Sequence, residues 1–202
     1  MNSKGQSSIR LILASASPRR RVLLGATGLA FEIVESGIEE IRRDGEGGID
    51  FASRMAREKA LNVSDRIRDA LVLAADTIVE CDGRIFGKPA DAAQACAMLQ
   101  MLSGNTHTVV TAFAIASARA IAESQAIISR VTFHVLSLAE ITAYVATGEP
   151  LDKAGAYGIQ DRGAAFIEHV EGSRDNVMGL PVREVLAALR RHGIEAPVRE
   201  SS

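Results

Sequence analysis

Asp76 follows the apolar run in "LVLAADTIV". An acid just past a strand of an α/β fold projects from the sheet where such folds hold a metal or a reacting water. The competing reading is a strand-end or turn aspartate. A second group lies in "LASASPRRRVLL", residues 13–24. Ser17 suits a helix N-cap, and Pro18 falls at the first helical position, where its missing N–H costs nothing. Arg19 and Arg20 then oppose the helix dipole, which favours anions at that end. Either they face solvent, or an anion docks among them and the free N–H groups of the first turn.

The pattern is not a P-loop, because G-x-x-x-x-G-K-[ST] is absent. Glu39 and Glu40 lie in a polar loop, either solvated or paired to hold Mg²⁺ beside phosphates. Lys88 sits in a Gly-Lys-Pro turn, exposed or held in one pose. In "LDKAGAYGIQDRGAAF", Asp152 and Lys153 precede small residues that let backbone approach a partner closely. Gln160 there carries an amide that both donates and accepts. His107, His134, His169 and His192 have no metal spacing and read as structural. No Ser-His-Asp order or Cys-His pair is evident, so covalent catalysis has little support. Cations and acids near loops suit phosphoanhydride chemistry, where positioning and charge neutralisation do most of the work.

Several elements must position these groups. Strands are expected at Leu11–Ala14, Phe31–Val34 and Leu71–Ala75. Asp82-Gly83 is a hairpin turn between Thr77–Cys81 and Arg84–Phe86. His107–Ser117 and Ala126–Val135 read as antiparallel strands, and Ala164–Val170 as a last one. Helices are expected from Pro18 to near Gly28, Phe51 to Val63, Asp91 to Gly104, Ser137 to Gly148 and Pro181 to His192. Ser137 and Glu140 form a capping box. The chain reads as one mixed α/β domain over residues 1–202, with 1–9 and 194–202 as flexible ends.

Composition bounds the partners. The 202 residues are 47% hydrophobic and 24% charged, with net charge −2, enough for a sizeable core. A pI of about 6.1 and few aromatics argue against nucleic-acid binding. Cys81 and Cys96 make no zinc motif or disulfide framework, which suits the cytoplasm. No apolar window is long enough to span a membrane, and the arginines after Leu11–Ala16 do not fit a signal peptide.

Taken together, "LASASPRRRVLL", "AADTIVECDGRIFGKPAD", "MLQMLSGNTHTVVTAFAI", "DKAGAYGIQ" and "GSRDNVMGLPV" resemble the Maf family of nucleoside triphosphate pyrophosphatases. The resemblance runs from about Leu11 to Leu189. It implies an α/β, Maf/ITPase-like fold with a mixed sheet, two lobes and a long central cleft, in a homodimer. It implies hydrolysis of a nucleoside triphosphate to the monophosphate and pyrophosphate with Mg²⁺ or Mn²⁺. By the same resemblance Asp76 is the catalytic acid, and Ser17, Arg19, Arg20, Glu39, Lys59, Thr77, Lys88 and Gln160 bind substrate. Asp76 and Glu39 would hold the metal, and Arg21 would face solvent. The combination Arg19, Thr77 and Gln160 looks like the dTTP/UTP branch. The departures are Asp161, where the family usually has glycine, and Arg174, where an aromatic is common. Two alternatives stay open: the same reaction on another base such as 7-methyl-GTP, and a nucleotide sensor without hydrolysis.

Overall fold

The computed structural model describes residues 9–197. Its sheet has seven strands: β1 (Leu11–Leu13), β2 (Glu32–Ile33), β3 (Leu71–Cys81), β4 (Arg84–Phe86), β5 (Thr106–Ser117), β6 (Ala120–Phe133) and β7 (Ile167–Glu171). The order is β2-β1-β3-β5-β6-β7, with β4 also on β3. β1 runs parallel to β2 and β3, and the other pairs are antiparallel, so the sheet is mixed.

β3 is one strand of eleven residues, where the sequence suggested a run broken at Asp76. Its apolar residues are buried on both faces, as a central strand requires. Along one edge it pairs continuously with β5, from Val72 to Glu80. Along the other it pairs with β1 over Leu71–Leu73 and with β4 over Val79–Cys81. Among the described residues no strand occupies the gap between, and Asp76 and Thr77 lie in it.

Helix α2 (Gly48–Arg66) covers one face. Its stripe of Phe51, Ala52, Met55, Ala56, Ala60 and Val63 packs on Val72, Ala74 and Ile78. The opposite face carries two separate groups. Near β1, α1 (Pro18–Gly25) and α6 (Val182–Arg191) pack on Leu71, Leu73 and Phe113. Near β4, α3 (Ala92–Leu102) and α4 (Leu138–Val145) pack on Val79, Val109 and Phe133. These are the two lobes, and the gap in β3 opens between them.

Several local expectations shift. β6 starts at Ala120, six residues before the expected position, because a two-residue turn joins it to β5. Ala118 and Arg119 make that turn with φ of 47° and 69°, left-handed values that alanine and arginine rarely adopt. Helix α2 holds it: Ser64 Oγ accepts from the Arg119 N–H at 3.1 Å, and Arg119 pairs with Asp65 at 2.7 Å. The expected strand at Ala164–Val170 begins as a 3-10 turn (Arg162–Phe166) and becomes β7 only at Ile167. A short helix, α5 (Arg174–Met178), was not expected; Ser173 caps it. Of the ends expected to be flexible, Ile194 and Ala196 pack against the lobe built on α1 and α6. The expectation for residues 1–8 and 198–202 lies outside the described residues.

Candidate active site

A cleft of about 840 Å³ occupies the gap. Alternation along β3 puts successive side chains on opposite faces of the sheet, so Asp76 points toward α2 and Thr77 toward α1 and α5.

On the α2 side, Lys59 belongs to the helix's apolar stripe, four residues after Met55 and three after Ala56. The chain therefore buries it, and its ammonium must find partners. Lys59 Nζ donates to Asp76 Oδ1 at 2.6 Å and to Glu40 Oε1 at 2.5 Å. Lys59 and Asp76 are both buried. Burial lifts the Asp76 carboxyl above the ordinary aspartate range, with Lys59 and Arg20 pulling it down and Glu40 adding to the lift. Burial also opposes ionisation of Glu40, but Lys59, Lys88 and Arg20 together hold that carboxyl below its ordinary range.

Here the structure corrects one assignment. Glu40 lines the cleft and bonds Lys59, while Glu39, also exposed, is absent from the lining. The carboxylate of this loop that meets Lys59 is that of Glu40.

On the other side, Ser17 caps α1 and accepts from the Arg20 N–H at 3.5 Å. Arg20 folds back into the cleft. Its Nε donates to Gly179 O at 2.8 Å, one terminal nitrogen to Ser15 Oγ at 3.4 Å, and the other to Thr77 Oγ1 at 3.0 Å. Gly179 has φ of 111°, and a Cβ there would lie 3.3 Å from Thr77 Oγ1. Glycine therefore serves both the backbone turn and the close approach. Thr77 Oγ1 lies 2.9 Å from Thr111 Oγ1, which donates to Asn176 O at 2.8 Å.

Arg19 takes a different route from Arg20. It crosses the cleft to Asp152, donating to Oδ2 at 2.9 Å and to the backbone carbonyl at 3.2 Å. The arginine joined to Thr77 is thus Arg20, while Arg19 lines the cleft separately. Arg21 is exposed, as expected.

Lys88 and Gln160 are exposed residues of the lining. Buried Lys153 runs beneath the loop that carries Gln160. Its ammonium donates to Glu149 O and Asp152 Oδ1, both at 2.8 Å, and lies 3.7 Å from Asp161 Oδ2. A Cβ on Gly158 would come within 2.7 Å of the Lys153 stem, which is why small residues precede Gln160.

The cleft therefore gathers Ser17, Arg19, Arg20, Lys59, Asp76, Thr77, Lys88 and Gln160. Sequence reasoning missed Ser15, Thr111, Asn176 and Gly179. Thr111 did carry one signal, a lone hydroxyl in the apolar run "VVTAFAIA". Among the described residues, no three His, Cys, Asp or Glu side chains converge as a metal cage.

A family model described as Maf-like protein matches residues 10–192. The chain belongs to the Maf family. Relatives of this Maf-family chain include a protein of Geobacter metallireducens, 48% identical over 91% of this chain and 96% of its own length. One from Salmonella typhimurium is 51% identical over 89% and 91%, and one from Myxococcus xanthus 47% over 95% and 96%. All three are named dTTP/UTP pyrophosphatase. The solved Ham1 protein of Staphylococcus aureus superposes on 91% of this chain and 99% of its own, with TM-score 0.51 and 14% identity. That likeness concerns the fold alone.

Proposed function

We propose that this chain is a pyrophosphatase that hydrolyses dTTP and UTP to the monophosphate and pyrophosphate. The observation that carries the reading is Asp76, a buried carboxylate oriented by Lys59 and facing a cleft lined with arginine and lysine. The names of relatives at 47–51% identity support the substrate.

A water attacks phosphorus, the α–β bridge breaks and pyrophosphate leaves. An ordinary aspartate, with a pKa of about 3.9, is a weak base at neutral pH. Burial makes Asp76 a stronger one. Lys59 fixes the carboxylate through Oδ1, leaving Oδ2 to take the water's proton. Arg20, Lys88 and the positive end of α1 spread charge over the triphosphate. Arg19 joins them when phosphate oxygens replace Asp152 as its partner. Gln160 meets the base edge with a donor and an acceptor side by side.

Two carboxylates with substrate phosphates and water suit Mg²⁺ or Mn²⁺ better than an all-protein cage would. Glu40 would hold the ion through the oxygen that Lys59 leaves free, and Asp76 would reach it through a bound water. When bound, it neutralises phosphate charge and lowers the pKa of a bound water. The family resemblance extends the proposal to a cytoplasmic homodimer, which sedimentation and cell fractionation would test.

Pyrophosphate release from a panel of nucleoside triphosphates, with Mg²⁺ or Mn²⁺, tests the reading. UTP and dTTP should rank first, and omitting the metal should abolish turnover. Tight nucleotide binding without any turnover would replace the hydrolase with a sensor.

A further inference from the structure

The hydroxyl pair behind Arg20 has a direction. Asn176 O is a carbonyl and can only accept. It lies 2.8 Å from Thr111 Oγ1, so that contact needs the single Thr111 proton. Gly179 N–H supplies the carbonyl's other hydrogen bond at 3.0 Å. With its proton spent on Asn176, Thr111 can only accept from Thr77 across their 2.9 Å contact. Thr77 must then donate to Thr111. It also accepts from Arg20, whose guanidinium has no lone pair to offer. The chain therefore runs one way, from Arg20 through Thr77 and Thr111 to the Asn176 carbonyl. Thr111 and Asn176 are fully buried, so no bulk water competes for these groups.

One consequence concerns the cleft. The only proton on the Thr77 hydroxyl points away from it, and the group keeps one lone pair for a ligand. Thr77 is thus an acceptor-only group: it can meet an N–H or O–H, and it repels a lone pair. Gln160 cannot supply this polarity, because its amide can flip to serve either pattern. Uracil and thymine carry a proton on ring N3, whereas cytosine carries a lone pair there.

We propose that Thr111 is a positioning residue that fixes the polarity of the Thr77 hydroxyl, so that the cleft accepts the ring N–H of uracil or thymine and refuses the bare ring nitrogen of cytosine. This rests on the pyrophosphatase reading for its substrate class, but not for the direction of the chain.

The test compares UTP with CTP in the wild type, Thr111→Val and Thr111→Ser. Valine removes the acceptor, leaving the Thr77 proton free to turn into the cleft. The UTP:CTP ratio of kcat/KM should fall by about tenfold, the worth of one hydrogen bond, while serine keeps the wild-type ratio. A loss of folded protein lowers both substrates equally and leaves the ratio unmoved. A folded valine variant whose ratio stays within twofold of wild type overturns the proposal.

Calorimetric affinities for UMP and CMP give the same comparison without turnover. Failure of the pyrophosphatase reading thus shows as absent hydrolysis, separately from this ratio. Should valine not fold, neutron diffraction on the wild-type protein decides. The Thr77 hydroxyl proton is expected between Thr77 and Thr111, and a proton pointing into the cleft overturns the assignment.

Discussion

The two walls of the cleft are built from adjacent residues of one strand, yet they follow different physics. Asp76 belongs to a charged cluster in which one buried ammonium serves two carboxylates. Thr77 belongs to a chain of hydroxyls ending on a backbone carbonyl. The first wall stores electrostatic free energy and can move a proton. The second holds an arginine and a hydroxyl in fixed orientations and can read a ligand's donors and acceptors. Strand alternation is enough to separate them, because residues 76 and 77 cannot share a face. Changes at Asp76 and Lys59 should therefore alter rate for every nucleotide, and changes to the Thr77 hydroxyl and its Thr111 partner should alter ranking.

The largest expected effect is Asp76→Asn. The amide keeps the shape but loses charge and basicity, so turnover should fall by about 10²–10⁴, as for removal of a general base. Pyrophosphate release should fall for UTP, dTTP and CTP alike; a loss confined to one of them would erase the distinction between the walls. The same variant should also lose thermal stability at neutral pH, because the buried Lys59 ammonium loses one of its two carboxylate partners. Burial raises the folded-state pKa of Asp76, so the folded protein binds this proton more readily than the unfolded chain. Stability from the protonated form is full below the ordinary aspartate value and is lost as pH rises through the folded value. At pH 7 the ionised group therefore costs stability, and asparagine relieves that cost while stranding the Lys59 charge that the carboxylate had balanced. In the wild type, the acid limb of kcat/KM should lie above the pKa of about 3.9 of an ordinary aspartate.

Next comes Lys59→Met, which leaves two carboxylates facing each other without their shared cation. Breaking a buried pair this way costs roughly 3–5 kcal/mol, so thermal unfolding should shift well down. The acid limb should move further up in pH, because Lys59 is the strongest influence holding the Asp76 carboxyl down. An unmoved acid limb in the folded fraction would detach Asp76 from the rate.

How far this division could be read in advance depended on how local its causes are. The two stretches of β3 that flank Asp76, the Asp82-Gly83 turn and the Ser137 capping box follow from short runs of residues and were legible; that β3 continues through Asp76 was not. Lys59 entered through the family resemblance, and its burial shows only once the helix's stripe is packed on the sheet. The Ala118-Arg119 turn was not legible, because neither residue favours positive φ and the helix that holds the turn lies more than fifty residues earlier. Glu39 and Glu40 could not be told apart in a loop without a period. The second wall was the least legible part. Thr111 meets Thr77 and Asn176 across separations of 34 and 65 residues, and only the fold brings them together.

On the ranking side, Gln160→Ala should flatten the preference for UTP and dTTP while sparing the chemistry. Bidentate pairing discriminates by about 1–3 kcal/mol, roughly five- to 150-fold. If kcat/KM for UTP, dTTP, CTP and GTP keeps its wild-type ranking and spacing in the variant, Gln160 does not read the base.

The smallest effect is expected at Asp161, the carboxylate beside Gln160. On charge alone it should repel the O4 oxygen of uracil and weaken the preferred substrate. Its position in the structure argues otherwise. Asp161 Oδ2 lies 3.7 Å from the buried Lys153 ammonium, so the negative charge faces a fixed positive one. The carboxylate is also about half exposed, where water screens it. Lys153 keeps Asp152 and the Glu149 carbonyl as partners when Asp161 is absent, so removing it strands no buried charge. A half-exposed pair of this kind is worth about 0–1 kcal/mol. Asp161→Gly should therefore change kcat/KM for UTP by less than about fivefold, with little change relative to CTP. A gain well above tenfold for UTP alone would mean that the carboxylate reaches the base. It would then join Gln160 and Thr77 on the wall that sets ranking.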